Sequence, residues 1–391
     1  MPITYNDPIH GRIVIPDAFR VVVESPVLAR LRNVRQLGFT LARYPGAVHT
    51  RFEHTLGTVA ILLQLMRQLG NHDISSQNRF ILAALLTEIG TPPFSYSTRL
   101  IFQKYGLSRP EYASGLYTNY LRPELGSSLE EEKFLFESNL RKESWFGLFA
   151  QYEEYSYLDP VKLSSTIDYV LRDSYYTGRY VGGFDYRFFS SLWFIDKASE
   201  REALQEGLRS LHRSVHALNA IYGDPVRRML SILLTRLVDR LVERGFINFT
   251  FLKDERSLLS LDDDEFLYQI GLSVSRATDA GDKEAKRIYD TVTQRVTPQL
   301  RMVSLRALNI SPEEDTESVR SKVADSLNCL PSQVVLLDTR YHDNLGFRMF
   351  GKEFRSYEDA VSSEVFQRCT GLVLNDDVVR LSRDKLLVFL I

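Results

Sequence analysis

With 391 residues, 44% hydrophobic and 25% charged, the chain has the make-up of an ordinary globular protein and the length for roughly two or three domains. A net charge of −2 argues against a whole-surface attraction to nucleic acid or anionic lipid, and two cysteines, Cys329 and Cys369, make neither a disulfide framework nor a cysteine metal cluster. No run approaches the roughly 18 apolar residues of a membrane helix and no signal peptide is visible, so a cytoplasmic protein with reduced thiols is expected.

In chain order, Ser25-Pro26 reads as an N-cap followed by proline at the first helical position, and Val27, Leu28, Leu31, Val34 and Leu37 continue at helical spacing to a stop at Gly38. A second helix is expected from about Phe52 to Leu69. A third is expected from Ser75-Ser76 to Gly90, and its run from Phe80 to Leu86 is apolar on nearly every side, as in a central core helix. Residues 124–160 are polar and read as irregular. Helices are expected at 204–222 and 225–244, the latter with Asp224 as cap, Pro225 at its start and Gly245 after its end. Arg227, Arg228, Arg236, Arg240 and Arg244 read as a solvated outer face of that helix. Phe246 to Leu252 looks strand-like. Beyond about residue 300, β-rich runs at Gln333–Leu337 and Lys385–Leu390 alternate with helical stretches. The expected organisation is a helical domain over 1–245, a connecting region over 246–300 and a small α/β region over 301–391, mainly α overall.

Two segments one helix apart carry the chemistry. The first is Ala47-Val48-His49-Thr50-Arg51-Phe52-Glu53-His54-Thr55-Leu56-Gly57; the second is Leu86-Thr87-Glu88-Ile89-Gly90-Thr91-Pro92-Pro93-Phe94-Ser95-Tyr96. Together with Asp7–Gly11, Arg30–Gly38, Leu163–Asp173 and Phe184–Phe188, in this order, they resemble HD-domain phosphohydrolases of the deoxynucleoside triphosphate triphosphohydrolase branch over roughly residues 5–245. That resemblance implies a mainly helical HD core and a nucleotide pocket. The branch holds a divalent metal with a histidine on one helix, a His-Asp pair on another and a distant aspartate. The metal lowers the pKa of a bound water and polarises a phosphoryl oxygen.

Carried onto this chain, the resemblance keeps His54 as the first ligand but puts Thr87 and Glu88 at the His-Asp pair and Ser165 at the distant aspartate. Thr91 and Tyr96 stand where the branch has acid–base histidines. It also implies that Arg51 meets phosphates, that Gln36, Tyr169 and Asp173 hold a sugar hydroxyl, and that Tyr222 packs on the deoxyribose. The site expected from it is a nucleotide-binding one of Gln36, Arg51, His54, Tyr169, Asp173 and Tyr222, with no catalytic residue, metal or cofactor.

The same residues also read as buried hydrogen bonds and ion pairs between core helices. Two other His-Asp dipeptides, His72-Asp73 and His342-Asp343, read as surface residues. The tyrosine-rich stretch from Tyr152 to Tyr186 reads as helix packing. The expected function is that of a catalytically degenerate phosphohydrolase relative acting as a structural or regulatory subunit, binding a deoxynucleotide without cleaving it. The alternative is a divergent metal-dependent nucleotide phosphohydrolase using His54 and Glu88. A homo-oligomer or a subunit of a larger complex is expected, with no membrane or nucleic-acid partner.

Overall fold

The computed structural model describes residues 2–68, 74–105, 109–125, 160–180, 210–249, 255–294, 299–336, 347–349, 352–354 and 385–390, isolated positions at 212, 216, 305–306 and 312–313 excepted. His72-Asp73, His342-Asp343, the acidic run at 130–132, Phe184–Phe188 and most of the tyrosine-rich stretch lie outside the described residues. The fold is mainly α-helical, and among the described residues no helix is long and apolar enough to cross a membrane.

The chain divides into two compact units, one of residues 1–222 and 247–270, the other of residues 223–246 and 271–391. The first unit opens with an antiparallel hairpin of β1 (Ile3–Asp7) and β2 (Gly11–Ile15), unforeseen in the helical reading of this region. Its turn is built by Asp7, whose Oδ1 accepts the amides of Ile9 and His10 at 2.9 Å each, and by Gly11 at φ +67°.

Helix α1 (Pro26–Arg30) starts at the expected cap, with Ser25 Oγ accepting the Leu28 amide. It stops well before Gly38, which corrects the single helix read over 26–37. Leu31–Asn33 form one 3-10 turn, and the chain then becomes extended, Val34 O accepting from Arg51 N and Gln36 N donating to His49 O. Tertiary partners override the local period here. The Arg30 guanidinium, buried over the Tyr112 ring, donates to the carbonyls of Leu261, Ile89 and Thr91. Asp263 takes the Arg35 amide.

Helix α2 (Arg51–Gln68) and helix α3 (Ile74–Leu86) follow. The latter ends at Leu86 rather than Gly90, so Thr87 and Glu88 sit in the turn beyond it. The reason is local: the Thr87 hydroxyl donates to Ala83 O at 2.7 Å, and Pro92-Pro93 bar helical continuation. Helix α4 (Arg109–Leu116) leads to the last described residues before 160. Helix α5 (Pro160–Thr177) then packs along α2. Leu163, Ile167 and Val170 on α5 meet Ile61 and Leu65 of α2, and Leu218 and Ile221 from the helical residues 217–222 close the same core.

In the second unit, α6 (Pro225–Glu243) has the expected cap, Asp224 Oδ1 accepting the Val226 and Arg227 amides. This helix groups with the C-terminal residues rather than with the first 222. Two of its arginines correct the solvated-face reading. Arg236 donates to Val334 O, and Arg240 pairs with Asp282 and Glu284. No strand forms among the described residues 246–249, where Phe246 follows the left-handed Gly245 in a bend. The expected α/β character holds: in α7 (Thr316–Ser326), Val319, Val323 and Ala324 cover Val334 and Leu336. Val334–Leu336 and Gln299–Ser304 flank Lys385–Leu390 in an antiparallel three-stranded sheet.

Candidate functional site

The site lies in the first unit, where α2, carrying the first motif segment, meets α5 on one side and the second motif segment, in the turn after α3, on the other. At its centre is Asp168, fully buried on α5. Its Oδ2 accepts from Arg172 Nε at 3.0 Å and lies 2.6 Å from His54 Nδ1; its Oδ1 accepts from Arg172 at 2.9 Å and lies 2.6 Å from His10 Nε2. Burial alone would raise this carboxyl, but the Arg172 guanidinium and the two histidines outweigh it and hold Asp168 well below the usual range. Arg172 is itself fully buried and also donates to Asp7 Oδ2 at 2.8 Å, which ties the hairpin to the helix pair. So ionised an Asp168 needs a proton on His54 Nδ1. His54 Nε2 faces Ser165 Oγ at 3.1 Å.

This crowding is allowed by Gly57. A Cβ there would fall well inside contact distance of Asp168 Oδ1 and 2.5 Å from the Arg172 guanidinium. At the start of α2, Arg51 donates to Glu88 Oε2 at 3.0 Å, to Ser95 Oγ at 2.9 Å and to Gln36 O at 3.2 Å. Thr91 donates to the same Glu88 oxygen at 2.7 Å. Asp263 takes the amide of Phe94, which together with Ser95 adopts a left-handed backbone at φ +55° and +56°. Burial pushes the Asp263 carboxyl up to about 6, against the amides of Phe94 and Arg35 that lower it.

A third group surrounds Asp173. His49 Nε2 lies 2.8 Å from its Oδ1, and Tyr222 donates to its Oδ2 at 2.6 Å. Burial first and the Asp173 charge second raise the Tyr222 phenol, so it stays a donor. Tyr169 meets Tyr222 edge-on at 6.5 Å. Of the residues singled out from the sequence, Gln36 with Arg51 and Tyr169 with Tyr222 and Asp173 therefore come together, while the His54 ring is bonded to Asp168 and Ser165. Tyr96 joins the groups, with the Arg51 guanidinium 5.3 Å above its ring. Asp168, Arg172, His10, His49 and Asp263 were not foreseen. The spacing of Asp168 and Arg172, four residues apart on one helix, was the available signal.

The donor set does not suit the divalent metal that the HD frame implies. Thr87 spends its hydroxyl on Ala83, Glu88 is paired with Arg51 and Thr91, and Ser165 offers a neutral hydroxyl already on His54. Among the described residues no group of three or more His, Cys, Asp or Glu gathers to hold a metal ion.

The fold is similar to that of a phosphohydrolase of known structure. A phosphohydrolase from Bacteroides thetaiotaomicron superposes with a TM-score of 0.62 at 22% identity, covering 86% of this chain and 87% of that one. A hypothetical protein from Aquifex aeolicus superposes with a TM-score of 0.63 at 20% identity, covering 100% and 96%. In sequence, the chain is 23% identical over 355 residues to the uncharacterised protein MJ1154 of Methanocaldococcus jannaschii, covering 88% of this chain and 67% of that protein. It is 38% identical over 98 residues to the deoxynucleoside triphosphate triphosphohydrolase SAMHD1 of Gallus gallus, spanning 24% of this chain and 16% of that enzyme. No family model matches the chain.

Proposed function

We propose that this protein is a catalytically degenerate relative of the deoxynucleotide triphosphohydrolases that acts as a structural or regulatory subunit. The observation that carries this reading is the Arg51–Glu88 pair. Glu88 stands in the position of a metal-binding aspartate, yet its carboxylate is committed to a buried guanidinium and to Thr91. Removing either partner would leave an uncompensated buried charge, so Glu88 is poorly placed to turn to a cation. The same pair weakens the alternative of a divergent hydrolase using His54 and Glu88. With Thr91 and Tyr96 at the acid–base positions, proton transfer to a leaving group lacks a donor as well.

A second reading, retained binding of a deoxynucleotide, is favoured by Gln36. Its Oε1 is buried and has no hydrogen-bond partner among the described residues, as an acceptor awaiting a hydroxyl donor would. On this reading Asp173 and Tyr222, which bond to each other, would hold the sugar, as the resemblance implies. Association with itself or with another chain goes with the structural role.

Incubation with each deoxynucleoside triphosphate and Mn²⁺ is expected to release no phosphate product, and product release that disappears in His54→Ala would sink the proposal. Thermal shifts in EDTA decide between the two readings. At 100 times a dissociation constant, a ligand stabilises by about 2.7 kcal/mol. A shift abolished by Asp173→Ala identifies a metal-free nucleotide sensor; no shift leaves the structural role.

A further inference from the structure

Ser165, His54 and Asp168 form a chain of hydrogen bonds. Asp168 is kept ionised by the two-point contact with Arg172, so His54 donates from Nδ1. In the neutral ring Nε2 carries a lone pair, to which the Ser165 hydroxyl 3.1 Å away donates. Serine, imidazole and carboxylate stand in the order and tautomer in which a base activates a hydroxyl and a buried acid orients the base. Ser165 is half-buried, whereas Asp168 is fully buried. From this geometry we infer that Ser165 is an activated nucleophile that accepts an acyl group from activated esters, with His54 as its base and Asp168 as the positioning residue.

The substrate class follows from the backbone. A serine hydrolase ordinarily presents amide N–H groups to the oxyanion, but Ser165 lies inside α5, where its own amide belongs to the helical ladder. The site therefore suits esters whose leaving group is good enough to need little oxyanion support, such as aryl esters. In the first step Ser165 Oγ bonds to the acyl carbon and gives its proton to His54 Nε2. The bond to the aryloxide then breaks, and His54 returns the proton to the departing oxygen. In the second step water attacks the acyl carbon, its proton passes to His54, and Ser165 leaves with that proton restored. The inference rests on the proposed loss of the metal, since a metal on His54 Nε2 would occupy the lone pair that Ser165 uses.

The test incubates the full chain with p-nitrophenyl acetate in EDTA, follows nitrophenolate release and locates the acetyl group by peptide mass spectrometry. Acetyl-Ser165 is expected, absent in Ser165→Ala and forming at least about 100-fold more slowly in His54→Gln. An unmodified Ser165 in the wild type, or an unchanged rate in folded His54→Gln, overturns the inference. Ser165→Ala removes one half-buried hydroxyl and keeps the test readable if His54→Gln does not fold. The assay contains no metal, so metal-dependent cleavage of a deoxynucleoside triphosphate would refute the proposed function without deciding this result. An unlabelled Ser165 with no such cleavage would remove this inference alone.

Discussion

Replacing Asp168 by alanine is expected to cost about 3–5 kcal/mol of folding stability, a large part of the 5–15 kcal/mol typical of a folded protein. The substitution leaves Arg172 fully buried with one carboxylate partner, Asp7, and leaves His10 and His54 without their acceptor. The loss is that of an uncompensated buried charge and exceeds what the pair contributes over an apolar replacement. Asp168→Asn keeps the shape and tests the charge. The folded carboxyl titrates below its ordinary value of 3.8. Its contribution is therefore complete above about pH 4 and is lost only as the pH falls through the depressed folded value. Urea unfolding across the acid range should show a flatter acid limb in Asp168→Asn than in the wild type. Parallel curves would mean that Asp168 carries no charge in the fold.

Gly57→Ala is expected to destabilise by about 3 kcal/mol or more, although alanine favours helices and Gly57 sits within one. The added methyl has no free volume, because it enters the Asp168 carboxylate and the Arg172 guanidinium, whose positions are fixed by His10, His54 and Asp7. α2 and α5 would have to separate where their shared core is tightest. The clash is specific, which gives a second reading by non-additivity. In an Asp168→Ala background, the same substitution should cost at least about 1 kcal/mol less than in the wild type. Equal costs in both backgrounds would place the effect of Gly57 elsewhere.

The sequence made local signals legible and long-range ones only through resemblance. Ser25 and Asp224 cap the helices their types suggest, because capping is decided within a few residues. The β-rich runs near 334 and 385 form paired strands, since their apolar, β-branched and aromatic residues suit a sheet. The helix read through 26–37 breaks because Arg30, Val34 and Arg35 answer to residues between 49 and 263. No period in a 12-residue window records that. The candidate site divides the same way. Arg51 and His54 stand out from their motif, but the Ser165–His54–Asp168 chain joins residues more than 100 positions apart and requires α2 and α5 to be packed. The resemblance marks Glu88 as a changed ligand, whereas its pairing with Arg51 depends on the turn after α3, which no local signal specifies.

Calorimetric titration of Mn²⁺ into the wild type and into the triple variant Thr87→His, Glu88→Asp, Ser165→Asp tests the proposal that an HD-like frame persists here without its metal chemistry. No tight binding to the wild type and recovery of a single Mn²⁺ site in the folded variant are expected if, as proposed, the backbone frame remains and only the donors differ. Tight Mn²⁺ binding by the wild type, lost in His54→Ala, would contradict it, as would a folded triple variant that takes up no metal.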